Sequence, residues 1–383
     1  MKIAFVIDDS LDRPDGVQQH VLTVGAWLTS QGHDVHYLCS TTERTDLPGV
    51  HSLASNLPVT FNGNKLRVPR PTSRKMLREF LAEHRFDVLH VQMPYSPLFA
   101  ARVVSAARAV QGDAVRIVGT FHILPFHAIA TTGTALLGRW LRRNLRLFDS
   151  FISVSPPTVT FARRTFGIQS VAIPNPVNLD AFRTARAAAA NAARDARTDG
   201  IITISFLGRL VPRKGARELV AAVAHIAPDV RATIRVRIAG AGPLAETLKE
   251  DVARWGLADT VTLLGRLGDD RPEFFGASDI CVFPATQGES FGIVLIEAMA
   301  ARAGVVMGGD NPGYRSVLGE RPELLVEPSD PAAFALAMER LILDPELRAT
   351  LHRAQQQEVE TCGIDQVGPR ILQVYAAANP STQ

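Results

Sequence analysis

The sequence predicts an α/β protein made of two doubly wound parallel-sheet domains facing each other across a cleft. Three observations lead there. The chain has 383 residues, enough for two domains at about 100–200 residues each. Short apolar runs alternate with amphipathic segments from end to end, as in parallel sheets covered on both faces. That alternation breaks once, at residues 173–200.

In the first half the strand-like runs are Lys2–Ile7, Asp34–Cys39, Phe86–Gln92, Val115–Thr120 and Ser150–Val154. In the second half they are Ile202–Gly208, Thr233–Gly240, Thr260–Leu264, Asp279–Phe283 and Gly304–Met307. Between them lie helical stretches such as Val17–Gln31, where Val17, Val21, Val24 and Leu28 share a face and Gly32 stops the helix. The interruption, IPNPVNLDAFRTARAAAANAARDARTDG, opens on prolines and has no large apolar residue beyond Phe182. It reads as an interdomain connection with a loose or helical tail. The expected division is an N-terminal domain at 1–178, a linker at 179–200, a C-terminal domain at 201–365, and a last helix within 366–383 that crosses back to the first domain.

Composition narrows the classes. At 46% hydrophobic and 21% charged residues, the chain is neither disordered, collagen-like nor a disulfide scaffold. Cys39, Cys281 and Cys362 are far apart, without a C-x-x-C pair, which fits a reducing cytoplasm and no zinc knuckle. The opening MKIAFVIDDS has too short an apolar run for a signal peptide and reads as a buried first strand. No apolar stretch is long enough to span a membrane. The net charge of +3 conceals an asymmetry: residues 1–178 hold 19 Lys+Arg against 12 Asp+Glu, and the remainder 22 against 26. A basic half joined to an acidic one predicts an anionic surface as partner to the first half, whether nucleic acid or phospholipid headgroups.

The most informative stretch is Gly288-Glu289-Ser290-Phe291-Gly292-Ile293-Val294-Leu295-Ile296-Glu297-Ala298, which follows a strand and opens a helix. Free N–H groups at a helix start suit an anion or a hydroxyl-rich ligand. A capping acid followed by a surface Glu is the plainer reading of any such pair. The E-x7-E spacing enclosing F-G is more specific, and here the chain resembles the retaining family-four glycosyltransferases with the GT-B fold of two Rossmann-like domains.

Other segments extend that resemblance in the family's order. Pro14-Asp15-Gly16-Val17-Gln18-Gln19-His20 is similar to the family's G-G-V loop, which approaches the donor diphosphate. Asp15 replaces its first glycine, and Gly16 is kept. Phe206-Leu207-Gly208-Arg209-Leu210-Val211-Pro212-Arg213-Lys214-Gly215 resembles the G-R-x-x-x-x-K-G stretch, so the resemblance implies that Arg209 and Lys214 grip the donor phosphates. A nucleoside diphosphate leaves with added negative charge, and fixed cations stabilise it. Thr120-Phe121-His122 places His122 beside the transferred sugar by resemblance; His127 has no counterpart. Ala239-Gly240-Ala241-Gly242-Pro243 reads as a tight turn near the nucleotide, and Leu267-Gly268-Asp269-Asp270 is similar to the segment that contacts the base.

The donor set implied is therefore Gly16, Arg209, Lys214, Gly240, Leu267, Glu289, Ser290, Phe291, Gly292 and Glu297, with His122, Glu289, Arg209 and Lys214 as the catalytic group. Glu289 would hold sugar hydroxyls and Glu297 the ribose. Asp8-Asp9 and Asp269-Asp270 invite a metal reading, but neither has further ligands around it in sequence. The family uses positive side chains instead, so no catalytic metal and no cofactor beyond the nucleotide-sugar are expected.

Lys65, Arg67, Arg70, Arg74, Lys75 and Arg78 are six cations in fourteen residues without an acid. A second run, Arg139, Arg142, Arg143 and Arg146, forms one helical stripe beside Trp140, Leu141 and Leu145. A solvated helix face is the plain account of either run alone. At about 1 kcal/mol per cation near an anionic leaflet, either could also hold the protein at a membrane surface. Base-stacking aromatics are not interleaved with them, which disfavours nucleic acid.

Within the family, Phe61-Asn62-Gly63 through Arg74-Lys75 and Phe86-Asp87-Val88-Leu89-His90 look most like the bacterial phosphatidylinositol mannosyltransferases. That resemblance implies mannose transfer from GDP-mannose to a phosphoinositol headgroup at the inner membrane face, with Asn62, Arg67, Gln18 and His20 toward the acceptor. Asp9 and Ile123-Leu124-Pro125 depart from that subfamily's pattern. A UDP-glucose-dependent transferase to another lipid or soluble acceptor, a nucleotide-sugar epimerase, and a non-catalytic nucleotide-binding module remain the alternatives.

Overall fold

A computed structural model describes residues 1–12, 15–61, 64–69, 72–123 and 143–377, with backbone alone for 57–61 and 64–69. The strands are β1 (Lys2–Val6), β2 (Asp34–Ser40), β3 (Val50–Ala54), β4 (Asn56–Phe61), β5 (Asn64–Pro69), β6 (Val88–Gln92), β7 (Arg116–Phe121), β8 (Ser150–Ser153), β9 (Val171–Ala172), β10 (Ile202–Leu207), β11 (Ile234–Ala239), β12 (Val261–Gly265), β13 (Ile280–Phe283), β14 (Val305–Gly309) and β15 (Leu325–Val326). The chain divides into two compact units, Met1–Pro176 with Ile364–Gln383, and Val177–Gly363.

The first unit is a seven-stranded sheet in the order β3-β2-β1-β6-β7-β8-β9, parallel at every pairing. Alternation along β1 explains how one strand serves two layers. Ile3 and Phe5 join the core under the helices Gly16–Ser30 and Ile364–Ala376, through Val21, Val24, Leu28, Val367 and Ile371. Ala4 and Val6 face the opposite way, toward Leu77 and Leu81 of helix Arg74–His84 and Val103 and Val104 of helix Phe99–Gln111. Such two-sided burial requires the near-continuous apolar strands seen in the sequence. β4 and β5 form a separate antiparallel pair, with Phe61 opposite Asn64.

The second unit is a six-stranded parallel sheet, β12-β11-β10-β13-β14-β15. Strand order reverses between β1 and β6 in the first unit and between β10 and β13 in the second. At such a reversal the loops beyond the carboxyl ends splay apart and leave a crevice for ligand.

Of the two readings of residues 179–200, a loose or a helical tail, the structure shows the helical one: helices Leu179–Phe182 and Ala185–Asp195, both grouped with the second unit rather than standing between the two. Alanines let helix Ala185–Asp195 lie close to its neighbours, and polar side chains then fasten it. Asn191 Nδ2 donates to Ala301 O at 3.1 Å. Arg194 Nη1 donates to the carbonyls of Gly276, Ser278 and Arg302 at 3.1, 3.2 and 2.9 Å. The signal missed was arginine serving carbonyls rather than solvent. The last helix, Ile364–Ala376, packs with the first unit; Tyr375 Oη and His90 Nδ1 share a hydrogen bond of 2.7 Å. No helix among the described residues is long and apolar enough to cross a membrane.

Candidate active site

Two loops of the second unit meet at its strand-order reversal. The loop after β10 carries exposed Arg209 ahead of buried Leu210 and Val211, then Arg213 and Lys214 in a short 3-10 turn, Pro212–Lys214. The loop after β13 carries Glu289, whose side chain is only 11% exposed. Its Oε1 accepts from Lys214 Nζ at 2.8 Å and from Arg213 Nη1 at 2.7 Å. Burying a carboxylate this far is costly unless it is paired and hydrogen-bonded, and both cations meet that need. In return it fixes the position of two cations at the carboxyl end of the sheet, using one of the three N–H donors on Lys214. Backbone bonds reinforce the meeting of loops, with Thr286 N donating to Arg213 O at 3.0 Å.

Ser290 and Phe291 are buried behind Glu289. Gly292 then turns the chain into helix Ile293–Ala300 at φ +104°, with Tyr314 packed where a side chain would stand. Burial, and secondarily the nearby Glu289, push the Tyr314 phenol well above its ordinary range, so it stays neutral. Glu297, 5% exposed, lies on that helix with Oε1 3.0 Å from Arg271 Nη1. Burial raises its pKa, and the Arg271 guanidinium opposes the rise. Arg271 begins helix Arg271–Gly276 directly after Leu267-Gly268-Asp269-Asp270. One ion pair therefore brings the segment expected at the base next to the residue expected at the ribose.

Gly240, at φ +148°, sits where a Cβ would come 1.8 Å from Gly208 O. Leu210 N donates to Ala241 O at 3.0 Å, and Leu244 N to Leu210 O at 3.1 Å. The two glycine-containing loops are thus laced together, and the lacing sets the backbone on either side of Arg209. A concavity of about 650 Å³ near Leu267 is lined by Arg186, Arg194, Arg197 and Arg237. These arginines engage protein carbonyls, hydroxyls and acids, including Arg186 with Asp270 at 3.2 Å, and so serve packing.

The first unit gathers three histidines near the carboxyl ends of its central strands. His122 follows β7 and shares a hydrogen bond with Gln92 Oε1 at 2.7 Å. His90 contacts Thr120 Oγ1 at 2.6 Å, and His20, on helix Gly16–Ser30, contacts Asn175 Oδ1 at 3.0 Å. The rings of His20 and His122 meet edge to face at 4.8 Å. Burial drives His20 down to about 4 and the other two well below the usual imidazole value, so all three are neutral at pH 7.

Expected residues fare unevenly. Gly16 begins its helix and is exposed. Gln18 and His20, expected toward the acceptor, are 3% and 2% exposed; Gln18 Nε2 donates to Ser10 O at 3.2 Å, and His20 is bonded through Nδ1 to Asn175 while its buried Nε2 has no partner among the described residues. Asp8 is a cap: its Oδ1 accepts from Ala100 N at 2.7 Å at the start of helix Phe99–Gln111. Arg74, Lys75 and Arg78 are exposed, as are Arg143 and Arg146. Asn62, Arg70, Arg139 and Arg142 lie outside the described residues, and Arg67 is described by backbone alone. Arg213 and Arg271 were missed. Arg213 stood in the quoted motif, but only its 2.7 Å contact reveals its use.

Comparisons with known proteins agree with this architecture. A model described as Glycosyltransferase Family 4 matches residues 14–181, and one described as Glycosyl transferases group 1 matches residues 191–358. A phosphatidyl-myo-inositol mannosyltransferase from Mycolicibacterium smegmatis is 32% identical, covering 98% of this chain and 93% of the relative. A GDP-mannose-dependent alpha-(1-6)-phosphatidylinositol monomannoside mannosyltransferase from Mycobacterium tuberculosis is 27% identical, covering 94% and 93%. Among solved structures, Anabaena HepE in complex with UDP and glucose superposes with a TM-score of 0.73 at 17% identity, covering 99% and 100%. With two Rossmann-like sheets, the paired loops at the β10/β13 reversal and these relatives, the chain belongs to the retaining family-four glycosyltransferases of the GT-B fold.

Proposed function

We propose that this glycosyltransferase moves mannose from GDP-mannose to the inositol headgroup of a phosphatidylinositol-type lipid at an anionic membrane surface. The observation that carries the reading is Glu289 held between Lys214 and Arg213 at the β10/β13 reversal, in a chain 32% identical to a phosphatidyl-myo-inositol mannosyltransferase over nearly its whole length. In this reading the donor diphosphate lies against Arg209 and Lys214. Glu289 accepts from sugar hydroxyls, Glu297 from the ribose, and neutral His122 positions the sugar.

An inositol hydroxyl attacks the anomeric carbon on the face from which the diphosphate departs. The new C–O bond forms as the old sugar–phosphate C–O bond breaks, its electron pair staying on phosphate. The acceptor's proton passes to that departing phosphate oxygen, so no side chain acts as base. Fixed cations stabilise the charge that develops there, each worth a few kcal/mol, and no catalytic metal is required. Exposed Arg74, Lys75, Arg78, Arg143 and Arg146 favour the anionic leaflet at about 1 kcal/mol apiece.

The test uses labelled GDP-mannose, UDP-glucose and UDP-glucose-free controls with phosphatidylinositol vesicles, with and without EDTA. Mannosylated lipid from GDP-mannose alone, undiminished by EDTA and lost in Glu289→Gln, is expected. Transfer from UDP-glucose instead, or isomerised sugar-nucleotide without acceptor, would overturn the reading.

A further inference from the structure

A second cluster of chemistry-bearing groups lies at the other end of the first sheet, at the amino ends of the strands. His36 is near the start of β2, His51 near the start of β3, and His84 is the last residue of helix Arg74–His84, which covers that face. One ring nitrogen from each falls within 4.8 Å of the others. His36 Nδ1 and His51 Nε2 are 2.9 Å apart. The His51 ring lies 4.9 Å from those of both His84 and Phe80, and His36 packs 5.2 Å from Phe86. All three histidines are partly buried.

We propose that His36, His51 and His84 form a binding site for one divalent transition-metal ion of the imidazole-preferring class, such as Zn²⁺. The first argument is convergence: ring nitrogens from three separate elements meet within 4.8 Å of one another, and the proton shared between His36 Nδ1 and His51 Nε2 at 2.9 Å occupies a place that a Lewis acid can take.

The second argument is the carboxylate behind one ring. Asp34 Oδ1 lies 3.1 Å from His36 Nε2, within ion-pair reach though not aligned for a straight hydrogen bond. This is the outer partner that ligating histidines ordinarily have. It leaves Nδ1 of His36 as the ligand atom. The third is support: three separate elements of the domain supply the ligands, which fixes their spacing. Zn–N bonds of about 2.0–2.1 Å in a tetrahedron put ligand nitrogens about 3.3 Å apart, so the His36–His51 pair at 2.9 Å opens slightly and the wider separations, up to 4.8 Å, close by side-chain rotation. Solvent completes the tetrahedron. The ion would clamp the β2–β3 edge to the helix that bears Arg74, Lys75 and Arg78, and it touches no residue of the glycosyltransferase site.

The experiment takes the full chain, free of any tag and stripped with chelator, and titrates it with Zn²⁺ by calorimetry and with Co²⁺ by visible absorption. Expected are one equivalent bound, a tetrahedral cobalt spectrum and a higher melting temperature with Zn²⁺. His51→Gln and His84→Gln should each weaken binding at least ~10-fold, and Asp34→Asn by about 10–100-fold. His33→Gln, which removes the neighbour of the Met1 amine, should leave binding intact. Absence of stoichiometric binding by the parent chain would overturn the proposal whatever the variants do. So would binding that survives both ligand variants, or that disappears with His33.

Discussion

Replacing Lys214 with Met separates the chemistry of the site from its stability. Glu289 has two cationic partners, at 2.8 and 2.7 Å. Removing Lys214 leaves Arg213 in place, so the carboxylate is not stranded and the roughly 3–5 kcal/mol cost of an orphaned buried charge does not apply. The folded protein loses one charge-assisted hydrogen bond, partly exposed, worth about 1–2 kcal/mol. For a unit of this size that lowers the melting temperature by roughly 2–8 °C, and the enzyme stays folded at 25 °C. The departing diphosphate loses a fixed cation, a loss of about 10²–10³ in kcat. Steady-state rates with the mannosyl donor, beside thermal melts, read both numbers from one preparation. A kcat within threefold of the parent, with unchanged donor KM, would refute the idea that this ammonium carries leaving-group charge. In the cycle with Glu289→Gln, non-additivity of about 0.5–3 kcal/mol is expected for groups in contact.

Glu297→Gln should hold or raise the melting temperature at pH 7–8 while raising donor KM. Burial raises the Glu297 pKa, so its ionisation costs stability above the folded pKa, and that cost is relieved as pH falls toward the unfolded value. A drop of several degrees at pH 8 would contradict this. The three buried histidines act in the opposite sense. With His20 at about 4 and His90 and His122 well below 6.5, the unfolded chain binds more protons, and stability falls as pH drops from 6.5 toward 4. The slope approaches roughly 4 kcal/mol per pH unit if all three contribute; a flat urea midpoint across that range would exclude it. Gly240→Ala, forced against Gly208 O at φ +148°, should destabilise by about 2–4 kcal/mol and depress turnover, checked by urea melts and kcat. A neutral result would show that the two loops are not rigidly laced.

Much of this was legible in the sequence because apolar strands buried on both faces leave a continuous trace, and because Glu289, Glu297, Arg209 and Lys214 stand at fixed spacings. What escaped reading depends on pairing across the fold. Arg271 acquires meaning only beside Glu297, and Arg213 only beside Glu289, and neither separation is a local period. The alanine-rich helix Ala185–Asp195 looked loose because its apolar groups are small. Its attachment comes from Asn191 and Arg194 bonding carbonyls 82 to 110 residues away, which composition does not encode. Helical phase also turns Gln18 and His20 inward, a burial that their place beside the motif did not reveal.

Helix Ile364–Ala376 supplies Ile364, Val367, Ile371, Val374 and Tyr375 to the interior beneath β1. A ribosome therefore delivers all of Val177–Gly363 before the domain begun at Met1 has its final wall. Until then one layer of its sheet, with the ring of His90, waits without its covering phenol. The customary order of synthesis, first domain finished first, is inverted here: the second unit reaches completeness while its elder neighbour is still open.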